Sequence, residues 1–102
     1  MNFKPLTTAA AMVLIAGAAA ASPTFKGHQF AGAATVTLAQ ARDTALKARP
    51  GAITDQELEK EKGGSGLRYS FDVKAGATTY EVGVDAKTGA VLENKTEGAG
   101  AD

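Results

Sequence analysis

The sequence predicts an α+β fold in which one N-terminal helix lies on an antiparallel sheet. Two observations carry this expectation. Apolar residues recur at helical spacing from Leu38 to Ala48, and after Gly66 the period drops from about 3.6 residues to about 2. A third bounds what can hold the fold together: the chain of 102 residues contains no cysteine. That excludes a disulfide framework, a thiolate metal site and a lipidated cysteine. Stability must come from one small core, which at this size is marginal without help from a partner or a second subunit.

Taken in order, the chain opens MNFKPLTTAAAMVLIAGAAAASPTF. Lys4 and the amino terminus give a short basic start, Met12-Val13-Leu14-Ile15 an apolar run, and Ala19-x-Ala21 small residues before Ser22. This is the layout of a secretory signal peptide over residues 1–21, cleaved near Ala21. The competing reading is an uncleaved anchor, but the strongly apolar part is shorter than the ~20 residues a span requires. The expected mature protein is therefore exported, periplasmic or secreted, with no membrane attachment after cleavage. Loss of Lys4 leaves ten basic against eleven acidic side chains, a net charge of −1. Near-neutrality gives no reason to expect a nucleic-acid partner or an anionic membrane surface.

Residues 22–35, SPTFKGHQFAGAAT, lack periodicity and read as a flexible leader, although Phe25 and Phe30 are large enough to dock. Thr37 followed by Gln40 forms a capping box, each side chain answering a free backbone N–H of the first turn. Leu38, Ala41, Ala45 and Ala48 then make one apolar face with Leu46 at its edge, while Arg42, Asp43 and Lys47 take the wet side. Pro50-Gly51 stops the helix. A face of alanines can approach a sheet closely but buries little by itself.

Leu67, Tyr69, Phe71 and Val73 alternate with Arg68, Ser70, Asp72 and Lys74; Tyr80, Val82 and Val84 alternate with Thr79, Glu81, Gly83 and Asp85. These are two half-buried strands joined as a hairpin through Ala75 to Thr78. A third strand runs from Ala90 to Lys95 after the loop VDAKTG, and residues 97–102 read as a disordered tail. The segment ITDQELEKEK, residues 53–62, admits two readings. Propensity and a second capping box, Thr54 with Glu57, favour a helix. Alternation allows a strand with Thr54, Gln56, Leu58 and Lys60 on one face and Glu57, Glu59 and Glu61 on the other. Local physics alone leans to helix.

The order of these elements resembles the PepSY domain family. The resemblance rests on Thr37-Leu38-x-Gln40-Ala41-Arg42-x-x-Ala45-Leu46, Pro50-Gly51-Ala52, Glu57-Leu58-Glu59 and, most specifically, Tyr80-Glu81-Val82-x-Val84-Asp85-x-x-Thr88-Gly89-x-Val91-Leu92. It places the domain at residues 36–96. The departures are small: Ala90 stands where the family often has an acidic residue, and Gly63 to Gly66 lengthens one loop. The resemblance implies that ITDQELEKEK is a strand, so the expected architecture becomes one helix followed by a four-stranded antiparallel meander, α-β-β-β-β.

Few residues could carry chemistry. In VDAKTG, Asp85 can accept a backbone N–H as an Asx turn and Gly89 can supply a positive φ, so Asp85, Thr88 and Gly89 read as a structural turn. A calcium loop would want oxygen ligands at alternate positions, and Lys87 occupies one of them. His28 is the only histidine and lies in the leader, away from any rigid partnership with Ser65 or Ser70, so no catalytic set is expected. GGSG lacks the ending of a phosphate loop. Glu57, Glu59 and Glu61 would form an acidic row along a strand, either a solvated edge or an attraction for a cation or basic partner. Tyr69, Phe71 and Tyr80 supply most of the aromatic area, as core or, where the alanine-faced helix leaves them bare, as a docking patch. No cofactor or metal is expected.

The resemblance implies a non-enzymatic module. PepSY domains occur in the propeptides of thermolysin-like metallopeptidases and as small secreted proteins, which implies a protein partner, a peptidase among the candidates, held by a sheet surface or edge. Two rivals stand beside this expectation. One is a structural role in the cell envelope by self-association, with a homodimer; the other is weak cation binding by the glutamate row.

Overall fold

The computed structural model describes residues 25–97. The expected signal peptide, the start of the leader and the tail after Glu97 lie outside the described residues. The described chain forms a 3-10 helix, His28–Ala33, then α1, Leu38–Ala48, and strands β1, Ala52–Lys60, β2, Leu67–Ala75, β3, Thr78–Asp85, and β4, Val91–Thr96. The sheet runs β1-β2-β3-β4 with every neighbouring pair antiparallel. The expected helix and four-stranded meander are both borne out.

α1 begins as its sequence dictates. The Gln40 N–H donates to Thr37 Oγ1 at 3.1 Å, and Gln40 Oε1 accepts from the Thr37 N–H at 2.9 Å. Ala41 and Ala45 are fully buried and let the helix backbone sit close to the sheet. Beneath them lie Leu67, Tyr69, Phe71 and Val73 of β2, Val82 and Val84 of β3, and Leu58 of β1. One sheet face is thus covered by α1. The opposite face carries the alternate residues.

Segment 53–62 is a strand up to Lys60, against its local propensity. The reason is long-range. Leu58 pairs with Tyr69 and Gln56 with Phe71, so the strand form buries Leu58 in the core, which outweighs a weak helical preference. One detail departs from simple alternation. The register shifts between Ile53, opposite Val73, and Asp55, opposite Asp72, leaving Thr54 as the extra residue of a β-bulge. Ile53 and Leu58 are five positions apart and would otherwise face opposite sides. The bulge puts both toward the core, and Thr54 leaves the face on which alternation places it.

The leader also departs from expectation over its described part. Lys26 makes a parallel bridge to Glu57, and the Leu58 N–H donates to the Lys26 carbonyl at 2.8 Å. The 3-10 helix follows, with Phe25 and Phe30 packed on the margin of the core. Burial of these two rings supplies what composition could not reveal. Further on, the N–H groups of Thr35 and Val36 both donate to the Ala86 carbonyl at 2.9 Å, tying the entry of α1 to the β3–β4 loop.

Candidate functional site

The loop VDAKTG is held by hydrogen bonds centred on Asp85 and Thr88. Asp85 is 1% exposed and accepts the N–H of Lys87 at 2.8 Å and of Thr88 at 3.0 Å. It also takes the Ser65 N–H at 2.6 Å and the Ser65 hydroxyl at 2.8 Å. Burial by itself would raise its pKa. The backbone donors of Ser65, Lys87 and Thr88 and the Ser65 hydroxyl more than reverse this and hold the carboxyl well below the usual range. Gly89, at φ 82°, closes the loop by donating its N–H to the Asp85 carbonyl at 2.9 Å. Thr88 Oγ1 accepts the Ala90 N–H at 3.2 Å. Asp85 therefore pins the β1–β2 loop to the β3–β4 loop, with its oxygens taken up by the protein itself.

The candidate nucleophiles are similarly engaged. Ser65 donates to Asp85, and Ser70 Oγ donates to Glu59 Oε2 at 2.8 Å. His28 is exposed, its ring edge-on to Phe25 with centroids 6.3 Å apart. No histidine adjoins either hydroxyl, so the geometry of a serine nucleophile with its base is not assembled among the described residues.

The aromatic residues considered as a docking patch separate into two groups. Tyr69 and Phe71 are 2% and 1% exposed and stack on each other under α1, so neither offers a surface. The Tyr69 hydroxyl donates to the Val36 carbonyl at 2.7 Å, and burial raises its pKa. Tyr80 lies at the sheet margin, half-buried, with the Arg49 guanidinium 3.8 Å from its ring centroid. This contact closes the C-terminal end of α1, where Arg49 Nε also donates to Asn94 at 3.2 Å.

The open face of the sheet is the larger candidate surface. Its residues follow from register. Asp55 stands opposite Asp72 and Asp72 opposite Glu81, a row of carboxylates across three strands that ends at Lys95. A second row runs Glu57, Ser70, Gly83, Glu93. Arg68 stands in the next row, between Glu59 and Asp85. It reaches Glu93 at 3.2 Å and donates to the Lys62 carbonyl at 3.1 Å. Gly83 leaves room for this side chain, since a Cβ there would stand 3.2 Å from Arg68 Nη1. Lys95 also pairs with Glu93, at 2.8 Å.

Two groups on this face feel the crowding of like charge. Partial burial, then the charges of Glu97 and Asp55, raise the pKa of Asp72. Burial followed by Glu93 does the same to Glu81. On the outer rim, the hydrogen bond and charge of Glu59 raise Glu61. Glu57 instead pairs with Lys26 at 3.6 Å. The three glutamates singled out from sequence therefore form the border of a wider acidic face. Asp55, Asp72, Glu81 and Glu93 were the residues missed. Writing the strands side by side in register would have found them, because all occupy the polar phase of the alternation.

No group of three or more carboxylate, histidine or cysteine side chains among the described residues is placed to hold a metal ion. No helix among them is long and apolar enough to cross a membrane.

Set against known families, residues 35–95 match PepSY, described as the peptidase propeptide and YPEB domain. Neither a curated protein nor a solved structure gives a significant match. The matched stretch takes in α1, β1, β2, β3 and nearly all of β4, which is more than half of the chain, and the protein therefore belongs to the PepSY family.

Proposed function

We propose that this protein is an exported, non-enzymatic binding module that regulates or inhibits a peptidase by laying its open sheet face against a basic surface of the partner. The observation that carries this reading is the asymmetry of the sheet. One face is closed by α1; the other holds Asp55, Asp72, Glu81, Glu57, Glu59 and Glu93, against the basic Arg68, Lys74 and Lys95. Opposing carboxylates on adjacent strands destabilise a sheet standing alone. A cationic partner would relieve that repulsion. Family membership supports the regulatory role, and the basic start with its apolar run supports export through a cleaved segment at residues 1–21.

The test is capture of exported proteins on the immobilised chain, followed by a peptidase assay on the bound fraction. The reading expects a bound peptidase whose rate falls in the presence of the chain. It also expects inhibition that weakens in about 1 M salt, where exposed charges are screened beyond ~3 Å, and in Glu81→Lys. Absence of any peptidase in the bound fraction, together with no slowing of one, refutes it.

Self-association is the second reading. Val91 is the exposed large apolar residue of the described chain, at 44%, and it opens β4, whose outer side pairs with no described strand. Edge pairing between copies would bury it. A homodimer at micromolar concentration that is lost in Val91→Lys would favour this role over peptidase binding.

A further inference from the structure

We propose that the outer edge of β1 is a docking site for an extended partner segment presenting an aromatic residue, a lysine or arginine, and a glycine, in that order and parallel to β1. The site shares Glu57 with the border of the acidic face but does not depend on the reading above.

The chain shows what this edge accepts, because it fills it with Phe25-Lys26-Gly27. Each position has a physical requirement. The Phe25 ring packs on the core margin. Lys26 bridges Glu57 in parallel register, gives its carbonyl to the Leu58 N–H at 2.8 Å and places its ammonium 3.6 Å from the Glu57 carboxylate. Gly27 passes so close that a Cβ would stand 1.7 Å from the Leu58 carbonyl oxygen, and its φ of 89° lies where side chains are disfavoured. An aromatic, a cation and a glycine are thus selected by three different contacts.

The resident segment pairs with β1 over a short stretch. Its bridge is isolated, and the Lys26 side chain is 85% exposed. A cleft of about 360 Å³ opens on one side of it, bordered by Phe25, Arg42, Ile53 and Gln56. Another of about 330 Å³ lies on the other side, between Phe30 and Leu58. Alternate residues of a strand present their backbone groups to the same edge, so the N–H groups of Gln56 and Lys60 point the same way as that of Leu58. A partner strand extended on the aromatic side can take the Gln56 N–H as well as that of Leu58, while the glycine turns the segment away before Lys60. Main-chain pairing would supply affinity and the Glu57 contact would supply selectivity. The resident segment competes from within the same molecule, at an effective concentration near millimolar, and weakens any added segment accordingly.

The experiment uses the purified chain and a synthetic peptide, TFKGHQF, with hydrogen exchange of the Leu58 amide and peptide affinity as readouts. Gly27→Val should unseat the resident segment, speed Leu58 exchange about tenfold and tighten peptide binding about tenfold, the peptide restoring protection. A peptide with glutamate in place of its lysine should bind Gly27→Val at least about tenfold more weakly, and Glu57→Lys should reverse that preference. Lys26→Glu is the second variant, should Gly27→Val not fold; it sets two carboxylates together and should release the edge without a steric clash. Unchanged Leu58 exchange in whichever of the two variants folds, or equal binding of the two peptides, overturns the proposal. A concentration-dependent dimer of Gly27→Val that keeps Leu58 protected without peptide would assign the edge to a second copy and overturn it as well.

Discussion

Replacing Asp85 by alanine removes one carboxylate that serves four donors, three of them backbone N–H groups on two different loops. Hydrogen bonds to a charged acceptor contribute about 1.5–3 kcal/mol each when fully buried. Ser65, Lys87 and Thr88 are themselves exposed, so water can reach their amides once the carboxylate is gone. We therefore expect about 1 kcal/mol per bond, or a loss of about 3–4 kcal/mol in all. A domain of this size has a total of about 4–10 kcal/mol. The melting temperature should fall by roughly 12–32 °C. Asp85→Asn should cost about half as much, because the amide retains one acceptor oxygen for the Asx turn but turns an NH2 group toward another donor.

The acid limb provides the sharper test. The folded pKa of Asp85 is depressed below its ordinary value of 3.8, so its contribution is fully present above that pH and is lost as pH falls through the folded value. Thermal melts from pH 7 to pH 2 should show a steep loss below pH ~4 in the native chain and a flatter one in Asp85→Asn. Equal acid limbs in the two proteins, or a fall of less than about 3 °C for Asp85→Ala, would refute the account of Asp85 as the tie between the loops.

Other perturbations follow the same reasoning. Asp72 and Glu81 have folded pKa values above their ordinary 3.8 and 4.5, so the folded state binds protons first and stability should rise as pH falls through the folded values toward the ordinary ones; melts of Glu81→Gln should lack part of that rise. Tyr69→Phe removes the 2.7 Å hydrogen bond to Val36 and should cost about 1 kcal/mol in denaturant titrations, with faster exchange at the entry of α1. Leu58→Ala empties a site that is 1% exposed and should cost about 2–5 kcal/mol, more than any single replacement on the open face. Gly64→Ala would bring a Cβ to 2.3 Å from Asp85 Oδ2, so its penalty should shrink in the Asp85→Ala background, measured as a double-mutant cycle.

Much of this fold was legible because its signals are local. The Thr37–Gln40 cap, the alternation from Leu67 to Val84 and the Asp85–Gly89 turn each involve residues within a few positions of one another, and each forms as expected. The role of the turn in tying two loops was not legible, since Ser65 lies 20 residues from Asp85. The open face was legible only in part. Glu57, Glu59 and Glu61 stood out as a run, whereas Asp55, Asp72, Glu81 and Glu93 come from separate strands and meet only through register.

By itself, the sequence determined the class of the fold, the alanine-faced helix, the central hairpin and the turn before β4, because propensity, capping and periodicity act over a few residues. Tertiary structure decided the rest. It made residues 53–60 a strand by pairing Leu58 with Tyr69, inserted the bulge at Thr54 so that Ile53 could also reach the core, and seated Phe25-Lys26-Gly27 on the strand edge. Those outcomes depend on contacts between distant parts of the chain, where burial of one leucine outweighs a helical preference worth only tenths of a kcal/mol per residue.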